Sequence, residues 1–109
     1  MMKNRTLTTV ALQRVGEARN QLLAEYIGYL HSLDEADTSS WATIVRTARE
    51  AGLDKDTLCR ELSCAWSTIL RWEAGQTVPG PFARTGIKAR LVALLEQQVG
   101  TQKAVAAAE

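Results

Sequence analysis

Leu-Asp-Lys-Asp-Thr-Leu-Cys-Arg-Glu-Leu-Ser-Cys-Ala-Trp-Ser-Thr-Ile-Leu-Arg-Trp-Glu-Ala-Gly, residues Leu53 to Gly75, is the stretch on which the fold turns. It reads as two short helices with a tight corner between them. Asp54 is a good N-cap, because its carboxylate accepts a hydrogen bond from an orphan amide in the first turn. Leu58 and Leu62 lie four apart and share a face with Cys59. Ser63 falls where the corner must turn. A second helix opens near Ala65, with Ile69 and Trp72 three apart as its inward face. Gly75 closes it, since glycine takes the left-handed conformation past a helix end at low cost.

Two parts of this stretch carry a resemblance: Gly-Leu-Asp-Lys-Asp-Thr-Leu-Cys (Gly52 to Cys59) and Ser-Thr-Ile-Leu-Arg-Trp-Glu-Ala-Gly (Ser67 to Gly75). Together they resemble the helix-turn-helix of the Cro/repressor (Xre-like) family. That family shows a Gly-Leu-Ser-Gln-x-x-Leu-Ala start, a Leu-Gly-Val corner and a Ser-x-x-Ile-x-x-Trp-Glu-x-Gly recognition helix. The match covers about 25 residues at uninterrupted spacing. Lys55 stands where glutamine is usual, Cys59 where alanine is usual, Ser63 where glycine is usual and Leu70 where a polar residue is usual. Serine costs about 1 kcal/mol at the corner if its φ is positive.

Outward from the motif, a Ser39 or Ser40 cap precedes a helix whose inward set is Trp41, Ile44, Val45 and Ala48, stopped by Gly52. Gln76 to Pro81, with two prolines and a glycine, makes a stiffened loop. A last helix is expected from about Pro81 or Phe82 to about Val99. Ile87, Leu91, Leu94, Leu95 and Phe82 are its candidate inward residues, and Gly86 is a candidate break.

Towards the N-terminus, residues 1–6 are polar and expected to be loose. Thr8 to Leu33 lacks proline and spaces Val15, Ala18, Leu22, Leu23, Tyr26, Ile27, Leu30 and Leu33 by threes and fours, the pattern of an amphipathic helix. Gly16 and Gly28 weaken it, and Gly28 is a candidate for close helix approach. Asp34 to Ser40 is an acidic connector. The expectation is an all-α chain, a five-helix repressor-type helix-turn-helix domain with an added N-terminal helix. Its divisions are 1–38 (helical extension), 39–99 (DNA-binding domain) and 100–109 (flexible tail).

The chain has 109 residues and a formal net charge of +1, so bulk charge names no partner. The distribution is uneven. From Arg46 to Arg90 eight basic residues face five acids, whereas residues 1–45 hold four against five. The basic excess accompanies the motif, as phosphate contact requires. No run approaches 18 apolar residues and no secretory h-region opens the chain, so no membrane span and a cytoplasmic location are expected. Cys59 and Cys64, five apart with His31 the only histidine, do not fit a zinc site and read as inward-facing thiols. No metal, cofactor or catalytic constellation is expected, because the serines and His31 fall in different segments and the acids are scattered.

The resemblance assigns roles. The second helix enters the major groove, so Trp66, Ser67 and Arg71, with Ala65 and Thr68 alongside, are the candidate base readers. Arg71 suits a bidentate bond to guanine O6 and N7. Trp66 either packs on a thymine methyl or a sugar, or folds onto the domain surface. Lys55 matches the phosphate-contacting position, and Gln76 and Thr77 are candidates to offer backbone amides to the same strand. Arg46, Arg49, Arg60, Arg84 and Lys88 are rim candidates, each better read singly as a solvated face. Glu73 is expected to pair with Arg49 or Arg46.

The implied function is a sequence-specific transcription regulator on double-stranded DNA, acting as a homodimer. The alternative is a protein-interaction module that keeps the fold without DNA binding. The stripe Leu22, Leu23, Tyr26, Ile27, Leu30 and Leu33 needs a cover, either Leu91 and Leu95 of its own chain or the same helix of a second copy. It is expected to build the dimer.

Overall fold

The computed structural model describes residues 2–108, with side chains from 10 to 99. Five of its six elements are α-helices: α1 (Met2–Ser32), α2 (Trp41–Glu50), α3 (Lys55–Leu62), α4 (Trp66–Glu73) and α5 (Arg84–Ala108). No strand occurs among the described residues. The chain is all-α with five α-helices, and the candidate break at Gly86 does not divide α5.

The short helices follow their local signals. The Asp54 carboxylate accepts from the Thr57 amide at 2.8 Å, opening α3. Ser63 takes the left-handed conformation, φ 52° and ψ 42°, and its amide closes α3 on the Cys59 carbonyl. Gly75 (φ 74°) ends α4, and Gly52 (φ 113°) follows α2. The start of α2 differs from expectation. Ser40 makes no side-chain cap. Instead Asp37 caps a 3-10 turn, Thr38–Ser40, which feeds directly into α2. The Ser39 hydroxyl donates to the same carboxylate at 2.7 Å.

One core joins all five helices. Trp41, Ile44, Leu58, Ile69, Leu91 and Leu95 are almost fully buried. Trp41 meets Trp72 edge to face, with ring centroids 6.3 Å apart. The Trp41 indole N–H is satisfied by the Glu35 carbonyl at 2.8 Å. Leu23 and Leu30 of α1 belong to this same core. The extension is therefore continuous with the rest of the fold.

α1 docks on α5, the two running antiparallel. At one end the Lys88 ammonium, 12% exposed, pairs with Glu35 at 3.1 Å. It also donates to the Leu33 carbonyl, closing the end of α1. Farther along, Arg19 shares a groove with Leu94, Gln97 and Gln98. At about 1.5 Å per residue, these two helices outrun the other three, and the molecule measures 58 × 25 × 21 Å.

Several boundaries and faces move relative to the sequence reading. The α1 backbone is already helical from Met2, where residues 1–6 were expected to be loose. The α5 backbone starts at Arg84, later than Pro81 or Phe82, and continues through the expected tail to Ala108. Phe82 lies fully exposed in the turn before α5, contrary to its expected inward place. Gly28 is not a close-approach site, since a Cβ there would meet nothing within 4 Å. The expected α1 stripe divides. Leu23 and Leu30 are buried against the chain's own core, Tyr26, Ile27 and Leu33 are half-buried, and Leu22 is exposed.

Candidate nucleic-acid interface

α3 and α4 meet through the three-residue corner 63–65, and Ile69 and Trp72 anchor α4 inward. That anchoring decides what α4 presents outward. Ala65, Ser67 and Arg71 are exposed, and Thr68 is half-buried. Ser67 and Arg71 are four apart, so they stand one above the other on one face. Leu70, 40% exposed, sits beside them.

Trp66 occupies a different place from its neighbours. It is half-buried at the edge of the core. The Arg49 guanidinium lies over its ring, 5.0 Å from the centroid. The Lys55 ammonium stands 6.0 Å from the same centroid. Both distances allow a cation–π attraction of about 0.5–1 kcal/mol at such exposed positions. Of the two sequence alternatives, the indole takes the one in which it folds onto the domain. It lines an open groove between α2, α3 and α4 with Arg46, Arg49, Asp54, Lys55 and Glu73. Arg49 also forms an ion pair with Glu73, the pairing expected from the sequence. Its stacking on Trp66 was not foreseen, since no local signal ties the end of α2 to the start of α4.

The structure sorts the other basic residues by occupation. Arg90 and Arg60 both reach Glu61. The Arg84 Nε donates to the Pro79 carbonyl at 3.0 Å, bracing the loop before α5. Lys88 fastens α1. Arg84 and Lys88 thus have structural employment and leave the rim set, while Arg60, its side chain 68% exposed, only approaches its neighbour Glu61 at 3.7 Å. Among the described residues, Arg46, Lys55 and Arg71 have no carboxylate within 4.0 Å.

Gln76 and Thr77 are exposed, but their backbone amides are not free for phosphate. Both point at the Arg71 carbonyl, at 2.9 and 3.4 Å, where they finish the end of α4. Only their side chains remain for a ligand.

Two carboxylates of α3 and its cap are held towards the charged form. Asp54 is lowered below its ordinary value by the Thr57 amide and hydroxyl, and Glu61 by its bond from Arg90. Cys59 and Cys64 are free and half-buried, less enclosed than expected. Burial, then Cys59, pushes the Cys64 thiol up, away from thiolate chemistry. Among the described residues no group of three His, Cys, Asp or Glu side chains converges for a metal ion. Nor is any helix long and apolar enough to cross a membrane.

Compared with protein-family models, curated proteins and solved structures, the chain matches none.

Proposed function

We propose that the protein is a cytoplasmic, sequence-specific transcription regulator of the repressor type, which binds double-stranded DNA as a homodimer with α4 in the major groove. α3, the corner and α4 form the helix-turn-helix. It is a binding protein, not an enzyme. The observation that carries this reading is the outer face of α4, where Arg71 is exposed, without a carboxylate partner among the described residues, directly above the exposed Ser67. An arginine with no competing carboxylate, one turn from a hydroxyl, is the chemistry that reads a guanine edge. Lys55, at the opening of α3 and likewise unpaired, takes the phosphate role. Trp66 serves it indirectly, holding the Lys55 and Arg49 cations over one ring.

A second reading is a protein-interaction module on the same fold. Leu70, exposed beside Arg71, favours it.

Gel shifts on random DNA pools at low and moderate salt separate the two. Binding at low salt that falls steeply as salt rises is expected. Arg71→Ala should relax preference at one base pair per half-site, costing about 1–3 kcal/mol. Lys55→Ala should weaken all sequences alike and lower the salt slope by about one unit. Absence of any shift at low salt would transfer the function to the interaction reading. An identical change in sequence preference from both variants would dissolve the division of roles.

A further inference from the structure

We propose that α1 carries a self-complementary interface, through which two copies of this chain pair antiparallel about a two-fold axis near residue 20. The surface is the row Ala11, Val15, Ala18, Leu22, Glu25 and Tyr29. It is distinct from the face that holds Leu23 and Leu30 against the chain's own core. At about 100° per residue the six positions fall within about 80° of arc. All six are exposed. The row's large members are Val15, 65% exposed, Leu22, 48%, and Tyr29, 49%.

The spacing four, three, four, three, four is a coiled-coil seam. Its composition alternates. Large residues recur every seventh position, and alanine separates the first three steps. In an antiparallel pair centred on residue 20, Leu22 of one copy meets Ala18 of the other, and Tyr29 meets Ala11. Leu22 and Tyr29 thus fill the space over alanines, the complementarity that close packing demands, while Val15 comes level with Glu25 and packs on its methylene stem. The row therefore fits a second copy of itself, and an isologous contact needs no different partner.

Charge selects the same arrangement. Arg14, and Glu25 at the edge of the row, lie eleven residues apart on the same flank, and among the described residues neither forms an ion pair within its own chain. In the antiparallel register Arg14 of one copy comes level, within one residue, with Glu25 of the other, and symmetry makes the contact twice. A parallel pair would leave Arg14 of one copy about 16 Å along the axis from Glu25 of the other and set alanine level with alanine. On the opposite flank Arg19 turns back to its own chain, its guanidinium 3.4 Å from where a Cβ of Gly52 would stand.

Three large side chains bury less than the roughly 800 Å² per partner of a standard interface. The pairing is accordingly a reversible one. It deepens the homodimer part of the proposed function, and its test contains no DNA, so its failure leaves the reading of α4 intact.

The test is sedimentation of the full chain over about 1–300 μM, the range in which a modest interface dissociates. The wild-type chain should pass from monomer to dimer. Leu22→Glu, at an exposed position, should keep its helical circular dichroism and stay monomeric throughout. Arg14→Glu and Glu25→Arg should each weaken the dimer by about three- to tenfold, and the double variant should regain it. A wild-type chain monomeric at every concentration overturns the proposal, as does a dimer indifferent to Leu22→Glu. A double variant no tighter than either single one overturns the antiparallel register.

Discussion

The α3–α4 pair and the α1–α5 pair solve opposite problems. α3 and α4 have eight residues each, while α1 has 31 and α5 has 25. An eight-residue helix is too short to be stable alone, so the short pair depends on caps, corner conformations and a few buried anchors. These are written in adjacent residues: Asp54 before α3, Ser63 after it, Gly75 after α4. The long helices need no such punctuation. Neither has an acidic residue in its first turn. The end of α1 and the start of α5 are tied instead by Lys88, a tertiary contact. The lesson is that the short pair is bounded by local chemistry, while the long pair's junction is fastened by residues more than fifty positions apart.

The largest expected effect lies on the short pair. Trp72, 5% exposed and set edge to face against Trp41, joins α4 to α2. Trp72→Ala should cost about 3–5 kcal/mol in denaturant melts. Trp66→Ala, at a half-buried ring, should cost only about 1–2 kcal/mol, from part of its burial and its cation contacts. Equal losses from the two would mean that Trp66 is as much a core residue as Trp72, and the contrast within α4 would vanish.

The junction of the long pair has an acid response of its own. Glu35 is lowered from its ordinary 4.5, first by a backbone amide and then by Lys88. A carboxylate whose folded pKa is lowered stabilises above its ordinary value, and that contribution is lost as pH falls through the folded one. Melting temperature should therefore drop as pH falls below about 4.5. Glu35→Gln should start lower at neutral pH and decline less steeply. Asp37, Asp54 and Glu61, lowered by Ser39, Thr57 and Arg90, keep part of the acid response in the variant. A variant with the full wild-type slope would assign the acid response to those carboxylates and away from the α1–α5 junction.

What the sequence disclosed follows the same division. The inward residues of α2, α3 and α4 were legible because one helical period and one apolar face decide them. The α1 stripe was not, because period alone cannot separate Leu22 from Leu23. Adjacent residues on adjacent faces received opposite fates when α5 arrived at one face only. Asp37 was missed as a cap because the 3-10 turn before α2 moves the cap position three residues upstream. At the candidate site, exposure of Ser67, Arg71 and Lys55 was readable from the anchors opposite them. The amides of Gln76 and Thr77 were misread, since their bonds depend on how the chain folds back over Arg71.

The smallest expected effect tests whether backbone conformation alone governs the short pair. Ser63 and Gly75 both lie at positive φ, 52° and 74°. A left-handed conformation costs an L-residue about 1–2 kcal/mol, and Ser63 bears that cost now. Ser63→Gly removes it, but glycine also gives the unfolded chain more freedom, worth about 0.4–1 kcal/mol. The net gain should be about 0.5 kcal/mol. Gly75→Ala runs the other way: a Cβ meets nothing within 4 Å, so no clash interferes and only conformation is charged. It should lose about 0.5 kcal/mol by the same difference. Urea titrations of both variants at matched m-values measure the two shifts. Opposite signs and similar size would show that the corner and the terminator are set by φ and nothing else. A loss from Ser63→Gly would show that the serine side chain contributes to the corner beyond its backbone.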